Sequence, residues 1–244
     1  MSLVSIIIPY FKKKKYIEST INSILNQKYQ NFEIIIVYDD KDKSDLKILK
    51  SIKELDRRIK IIINKLNIGA GLSRNKAMKL AKGKYIAFID ADDLWMPNKL
   101  KKQVAFMEKN KINISHTSYT IINEQDLKTS FRKAQKLKFN DLIYSCDVGL
   151  STVMIKKNLL IKDFFPNLKT KEDYVLWLKL SKKGYVFYPL KENLVSWRQT
   201  TQSLSSSLSQ KLKDGYKVYR IYLKFSFVNS IYHLFLLSLN YLKK

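Results

Sequence analysis

Cysteine, histidine and long apolar runs are scarce in this chain of 244 residues. The single Cys146 excludes an internal disulfide and fits a reducing compartment, and two isolated histidines, His116 and His233, do not make a metal site. No run reaches the roughly 18 purely apolar residues that a membrane span needs, so we expect no span. No Ser, His and Asp set stands at a familiar spacing, which argues against a covalent nucleophile.

The first residues do not resemble a secretory signal. Their apolar run is short, contains Pro9, and is followed rather than preceded by lysines. We therefore expect a cytoplasmic location. The length and the 45% hydrophobic content allow a sizeable core, which favours one domain with a C-terminal extension.

Acidic residues are few relative to basic ones. The chain has 46 Lys and Arg against 21 Asp and Glu, which gives a net charge of +25. Lys-rich chains neutralise phosphates, so nucleic-acid binding is the obvious alternative function. The lysines are spread through every predicted helix and no recognition module appears, so we expect no nucleic-acid partner. An anionic membrane surface is the better partner, because it attracts basic clusters at roughly 1 kcal/mol per Lys or Arg.

Strand and helix patterns alternate through the first hundred residues. Short apolar runs predict strands at 4–9, 32–37, 59–63 and 85–89. Helical spacing predicts helices at 16–27, 46–55 and 72–81, the last opened by Gly69 and Gly71. Such alternation predicts an α/β fold with parallel strands, right-handed crossovers and site-forming loops along one edge of the sheet.

Carboxylates stand where two of these strands end. Asp90, Asp92 and Asp93 follow the fourth predicted strand, and Asp39 ends the second strand at the same edge. The first three would repel one another unless a cation or a hydroxyl-rich ligand lay between them. Oxygen ligands at an open edge suit Mg²⁺ or Mn²⁺, which bind through one or two carboxylates plus substrate phosphates. The alternative is an ordinary Asp-rich turn.

Several segments stand in an order that is typical of one family. They are 4–9, 24–27, 32–37, 67–69 with 73–75, 90–93 and 172–178. Together they resemble the family 2 glycosyltransferases with a GT-A fold, close to the bacterial enzymes of teichuronic acid, capsule and lipopolysaccharide assembly. The resemblance covers about Val4 to Ser206.

Two segments depart from the family pattern. Residues 38–41 read Tyr-Asp-Asp-Lys where relatives usually carry Asp-Asp-Gly-Ser, and the lysine run 12–15 replaces the usual Asn after the first strand. Both departures concern contacts to the nucleoside. Asp39 nevertheless remains at the position expected to bind the base.

The resemblance implies a GT-A fold, a Rossmann-like mixed sheet flanked by helices, with a C-terminal helical extension. Residues 1–100 would bind the nucleotide-sugar, 101–207 would form the acceptor-binding and catalytic half, and 208–244 would form basic and amphipathic helices. The implied activity is an inverting transfer from a UDP-sugar or dTDP-sugar to a hydroxyl of a glycan or lipid-linked acceptor. A sugar-nucleotide-binding protein without catalysis is the alternative, and the intact Asp92 and Asp173 argue against it.

The resemblance also implies a nucleoside site. Asp39 would accept a hydrogen bond from the N3–H of uracil or thymine, a proton that cytosine lacks. Pro9 would shape the loop under the nucleoside, with Tyr10 or Phe11 against the base.

A diphosphate site is implied beside it. Arg74, behind two glycines at a helix start that favours negative charge, would reach the diphosphate, although a solvated Arg is the alternative. Asp90 and Ala91 would belong to the nucleotide-sugar site. Asp90 would bind the ribose hydroxyls, or would bind the metal indirectly. Asp92 would hold Mg²⁺ or Mn²⁺. Arg198 would close over the diphosphate ahead of a polar loop, 199–207, of the kind that often forms a lid; a surface Arg is the alternative.

Transfer by direct displacement requires a carboxylate that takes the acceptor proton. The resemblance implies that Asp173, which opens the helical pattern that continues through Leu180, is the base. A helix cap is the alternative role, since acids in a first turn commonly serve the helix dipole. Neighbouring Glu172 is the weaker candidate and would order the loop.

The last 34 residues pair a basic helix with an aromatic and leucine-rich one. Basic side chains run from Lys211 to Lys224, and a narrow polar stripe crosses 225–242. Such a pattern favours a helix that lies in the interface at the inner face of the cell membrane. Packing on the catalytic domain or in a homodimer is the alternative.

Overall fold

A computed structural model describes residues 1–160, 165–201 and 207–242. The strands are β1 (Val4–Tyr10), β2 (Phe32–Tyr38), β3 (Ile59–Ile63), β4 (Tyr85–Phe88), β5 (Leu94–Trp95), β6 (Ile114–Ile122), β7 (Lys128–Arg132), β8 (Met154–Lys156) and β9 (Tyr188–Arg198). The helices are α1 (Ile17–Leu25), α2 (Leu46–Leu55), α3 (Ala70–Leu80), α4 (Lys99–Lys109), α5 (Phe139–Leu142), α6 (Glu172–Lys182), α7 (Leu208–Lys217) and α8 (Phe227–Leu242). A π-helical turn, Val218–Tyr222, joins the last two helices.

The strands form one mixed sheet in the order β3-β2-β1-β4-β8-β6-β9-β5, with β7 paired to β6. β1 runs parallel to β2 and β4, and β2 runs parallel to β3. β8 is antiparallel to both of its neighbours, β4 and β6. The predicted α/β fold with a mixed sheet is therefore confirmed, and the parallel part holds the carboxyl ends of β2 and β4 at one edge.

β1 and β2 are apolar at consecutive positions because both faces of the sheet are buried there. Ile7 and Ile35 point into one core cluster, whereas Ile6, Ile8 and Ile34 point into the other, and all five are fully buried. A strand buried on both faces needs apolar side chains at every position, not at alternate ones. This burial rigidly fixes the strand ends that carry the site.

Helix α3 starts beside this edge, and two glycines make that start possible. Gly69 adopts a φ of 89°, a left-handed conformation that side chains with a Cβ rarely adopt. A Cβ at Gly71 would stand 2.9 Å from the main-chain oxygen of Pro166 and 3.1 Å from Cγ of Glu172. The first turn of α3 therefore packs directly against the segment that leads into α6.

The tail from α7 to α8 packs on the second half of the protein. Val218, Tyr219 and Leu237 are buried in the same core cluster as the sheet. Asp214 on α7 accepts hydrogen bonds from the main-chain nitrogen and hydroxyl of Thr170, at 3.0 and 3.1 Å. The inner side of the tail thus packs on the rest of the chain, as the packing alternative predicts. None of the described helices combines the length and apolar character required to cross a bilayer.

Candidate active site

The acidic residues predicted from the sequence gather at one edge of the sheet. Asp39 follows β2, and Asp90 and Asp92 follow β4, with β1 between the two strands. Ala91 is buried between the two aspartates. The edge also receives the start of α3 and the start of α6, which supply the remaining charged side chains.

Asp39 closes the N-terminus of α3. Its buried carboxylate accepts hydrogen bonds from the main-chain nitrogens of Ile68 and Gly69 and from Nδ2 of Asn64, all at 2.8 Å. A carboxylate offers about four acceptor positions, so one position remains for a nucleobase N–H. Asp39 thus binds the two main-chain nitrogens just before α3, beside the helix start that sequence analysis assigned to a phosphate.

The two aromatic candidates for the base differ in exposure. Tyr10 is fully buried, its ring stacks on Tyr38, and its hydroxyl donates to Asp45 at 2.8 Å. The ring of Phe11 is 38% exposed. Pro9 lies in β1 and pairs in register with β2. Of Tyr10 and Phe11, only Phe11 can stack on a base without rearrangement of the protein.

Arg74 joins three segments of the chain. Its guanidinium binds Oδ1 of Asp90 and Oε1 of Glu172, each at 2.7 Å, and packs over the ring of Phe165. The side chain is only 3% exposed. A direct contact with a diphosphate would require this cluster to open, so the geometry gives Arg74 a different role. It holds the donor edge and the start of α6 in a fixed relation.

The predicted base stands at the start of α6. Asp173 is half-buried, and its Oδ1 accepts from the nitrogen of Tyr174 at 2.7 Å. Burial raises the pKa of the Asp173 carboxyl, and Arg74 partly opposes that shift. Burial also raises the pKa of Glu172 to about 7, against the attraction of Arg74 and with the repulsion of Asp173 adding to it. A carboxylate with a raised pKa is a better base near neutral pH.

Asp92 forms an ion pair with a lysine on the loop after β1. Its Oδ2 lies 2.6 Å from Nζ of Lys13, and the same ammonium donates to Oγ1 of Thr200 at 3.3 Å. Burial raises the pKa of Asp92, Lys13 lowers it, and Asp90 raises it further. The ammonium of Lys13 therefore neutralises Asp92, the carboxylate predicted to hold the metal ion.

Arg198 is part of the scaffold under Asp92. Its Nε donates to the main-chain oxygen of Asp92 at 2.8 Å, its Nη1 donates to Asn123, and its Nη2 pairs with Asp126 at 2.6 Å. Its main-chain nitrogen donates to Oδ1 of Asp93. The side chain is 1% exposed, so this guanidinium is also closed to a diphosphate in this geometry. Residues 202–206 of the predicted lid lie outside the described residues.

Asp93 points inward and organises the turn after β4. It accepts from the hydroxyl of Ser151, which in turn accepts from the nitrogen of Asp90 at 3.1 Å. Burial raises the pKa of Asp93 well above its usual range, and repulsion from Asp92 and Asp90 adds to the effect. No sequence motif marks Ser151 or Lys13, and both contacts join segments that are remote in the chain.

The oxygen chemistry at Asp92 fits a hard divalent cation. Across the residues that the structure describes, no group of three or more His, Cys, Asp or Glu side chains is arranged to hold a metal. An ion at Asp92 would therefore complete its shell with substrate phosphates and water, which is the usual habit of Mg²⁺. Lys13 would have to release the carboxylate first.

Comparisons with known proteins identify the class to which this fold and site belong. Residues 5–165 match the family model described as Glycosyl transferase family 2, so the chain belongs to that family. The TuaG glycosyltransferase of Bacillus subtilis (strain 168), named for teichuronic acid biosynthesis, is 34% identical over 220 residues, 89% of this chain and 87% of its own. The Escherichia coli enzyme WfgD, a UDP-Glc:alpha-D-GlcNAc-diphosphoundecaprenol beta-1,3-glucosyltransferase, is 36% identical and covers 88% of this chain and 85% of its own.

Solved structures share the fold. TarS of S. aureus in complex with UDP-GlcNAc has a TM-score of 0.74 at 23% identity and covers 96% of this chain and 70% of its own. The Pyrobaculum calidifontis mannosyltransferase PcManGT, in complex with GDP-Man and Mn²⁺, has a TM-score of 0.68 at 14% identity, over 91% and 64% of the two chains. The predicted GT-A fold is confirmed by these likenesses.

Proposed function

We propose that this glycosyltransferase moves a sugar from a UDP-sugar or dTDP-sugar to a hydroxyl of a glycan or lipid-linked acceptor, with inversion, in cell-surface polysaccharide synthesis. The observation that carries the proposal is the Arg74 bridge, which binds Asp90 and Glu172 at 2.7 Å each. This bridge ties the start of α6 to the edge at which a donor would lie. Direct displacement needs a base and a donor in such a fixed relation.

The names of relatives and neighbours support the choice of donor and acceptor. WfgD is named for a UDP-glucose donor and an acceptor on diphosphoundecaprenol, and TuaG is named for teichuronic acid biosynthesis. The structure of TarS holds UDP-GlcNAc. Asp39 supports a uracil or thymine base, because its remaining acceptor position suits an N–H donor.

In the proposed mechanism Asp173 takes the proton of the acceptor hydroxyl as the new bond forms. Glu172 and Arg74 position the base, and Asp90 connects them to the donor edge. Asp92 would hold Mg²⁺ or Mn²⁺ together with the donor phosphates. Such an ion supplies Lewis-acid assistance to the departing nucleoside diphosphate when it is bound.

Thermal stabilisation of the purified protein by nucleotides tests the donor. A ligand that binds the folded state alone raises the melting temperature by mass action. UDP or dTDP should stabilise the protein in Mn²⁺, whereas GDP and CMP should not. A preference for GDP or CMP would contradict the role of Asp39, and NMR of a product that keeps the donor's anomeric configuration would contradict the single displacement.

We also propose that α8 holds the enzyme on the inner face of the cell membrane, where a lipid-linked acceptor is found. Large apolar side chains that are 36–73% exposed follow a helical spacing on its outer side: Phe227, Val228, Ile231, Tyr232, Phe235 and Leu239. Basic side chains precede this stripe, and Lys224 and Arg220 among them are exposed. An apolar stripe flanked by cations suits an anionic bilayer better than a second copy of a chain with a net charge of +25.

Vesicle binding tests this surface. The full chain should sediment with anionic vesicles, should bind neutral vesicles less, and should dissociate as salt rises, because surface attraction is screened within about 8 Å at physiological ionic strength. Changing Phe227, Ile231 and Phe235 to Ser should abolish sedimentation. The matched control changes Leu55, Leu66 and Leu80, exposed on other elements, to Ser. A dissociated dimer with unchanged vesicle binding would instead identify a homodimer interface.

A further inference from the structure

Three cations stand at the edge where the proposed donor would bind. They are Lys13, Arg74 and Arg198, and each contacts a residue of the turn after β4. A nucleoside diphosphate brings negative charge to an edge that already holds Asp90 and Asp92. At least one cation must therefore be free to turn from protein to phosphate.

Both arginines are buried and are held by ion pairs or hydrogen bonds to the protein. The Arg74 side chain is 3% exposed and lies between two carboxylates, and the Arg198 side chain is 1% exposed and bound at all three of its nitrogens. Turning either one outward would leave buried carboxylates or carbonyls without partners, which is costly. Neither guanidinium is suited to exchange its partners during a catalytic cycle.

Lys13 is suited to exchange. Its side chain is 24% exposed, and its ammonium has one carboxylate partner, Asp92, and one weaker contact to Thr200 at 3.3 Å. Its main chain is anchored, because its carbonyl accepts from the nitrogens of Tyr16 and Ile17, both at 3.0 Å. A fixed backbone with a partly exposed flexible side chain allows the ammonium to move without local unfolding.

We propose that Lys13 binds the donor diphosphate, and that it leaves Asp92 for a phosphate when a divalent cation takes the carboxylate. This inference rests on the proposed function. Oxygen ligands of one Mg²⁺ lie about 2.0–2.1 Å from the ion, so a phosphate on the same ion comes within about 4 Å of the carboxylate. The ammonium, now 2.6 Å from Asp92, is close enough to contact a phosphate that shares an ion with that carboxylate.

The other lysines of the same loop offer a control. Lys12 stacks over Phe11, and Lys15 over Tyr16. Lys14 is exposed and has the same charge and length as Lys13. Lys14→Met therefore removes an equal charge from the same loop, so a general loss of positive field would affect Lys13→Met and Lys14→Met alike.

Calorimetric binding of UDP and of uridine to the two variants and the wild type is the experiment. With saturating Mn²⁺, Lys13→Met should bind UDP roughly 10–100-fold more weakly than the wild type, the range expected for one hydrogen bond to a charged group. Uridine, which lacks phosphates, should bind both equally. Lys14→Met should stay within about 2-fold of wild type for both ligands.

Binding of Mn²⁺ alone, followed by electron paramagnetic resonance, tests the exchange. Lys13→Met should bind Mn²⁺ more tightly, because the ion no longer competes with an ammonium for Asp92. Unchanged UDP binding by Lys13→Met with saturating Mn²⁺ would overturn the proposal, and so would an equal loss of UDP and uridine. A wild type that binds neither UDP nor dTDP would instead overturn the proposed function.

Discussion

Two groups of ion-paired side chains lie at the same edge of the sheet, and their cations differ in burial. The buried cluster consists of Arg74, Asp90 and Glu172, and the open pair consists of Lys13 and Asp92. One guanidinium that is 3% exposed serves two carboxylates in the first, while one ammonium that is 24% exposed serves one carboxylate in the second. The first arrangement fixes geometry, and the second allows a partner to be exchanged.

Burial decides which group can act on a ligand. Removing one partner of a buried ion pair leaves a charge without water or a counter-ion, whereas an exposed partner regains water. A substitution in the buried cluster should therefore destabilise the fold or misplace the base. A substitution in the open pair should instead weaken ligand binding. The predictions below test that division, from the largest expected effect to the smallest.

Asp173→Asn should have the largest effect, because it removes the base that the buried cluster positions. The variant keeps the size of the side chain and most of its capping ability. Loss of a positioned base costs about 10²–10⁴-fold in rate, so kcat should fall by that factor. UDP affinity and melting temperature should barely change. A variant that turns over at a near wild-type rate would assign Asp173 to helix capping.

Arg74→Met should break the buried cluster itself. Leaving Asp90 and Glu172 without their counter-ion should lower the free energy of unfolding by about 3–5 kcal/mol in urea titrations. Lys84→Met is the control, because Lys84 pairs with Glu108 at the surface, where the two side chains are 50% and 41% exposed. That pair should contribute at most about 1 kcal/mol. Equal losses for the two variants would show that burial does not distinguish the pairs.

The pH dependence of stability should report Glu172. Its pKa is about 7 in the folded protein against 4.5 for the free side chain, so the folded state binds more protons between these values. The free energy of unfolding should therefore fall as pH rises from about 4.5 to 7, by on the order of 1–3 kcal/mol. Glu172→Gln should flatten this slope, and Glu54→Gln, on an exposed helix position, should not.

Much of the first half of the fold follows from local pattern. The predicted helix 46–55 and strand 59–63 agree with α2 and β3 residue for residue. In α2 the buried Leu49 and Ile52 follow helical spacing. Helix α3 begins at Ala70, two residues before the expected start at 72. The difference arises because Asp39 binds the main-chain nitrogens of Ile68 and Gly69, which stabilises an earlier first turn.

The partners of the charged residues could not be predicted in the same way. Arg74 and Glu172 are 98 positions apart in the sequence. Lys13 follows β1 and contacts Asp92, which follows the neighbouring strand β4. Composition marks these side chains as charged, but only the packing of α3 against the start of α6 decides which arginine is buried. The sequence motifs therefore predict which carboxylates gather at this edge and say little about which cation is mobile.

Asp92→Asn should have the smallest effect on stability and a clear effect on binding. The Lys13 ammonium is 24% exposed and regains water when it loses its partner, so the free energy of unfolding should change less than it does for Arg74→Met. UDP affinity in Mn²⁺ should fall, because the amide is a poor ligand for the ion. UDP affinity in EDTA should stay equal or rise, because Lys13 no longer has a carboxylate to hold it. Calorimetry in the two buffers separates these effects, and equal affinity of wild type and variant in Mn²⁺ would remove Asp92 from the metal site.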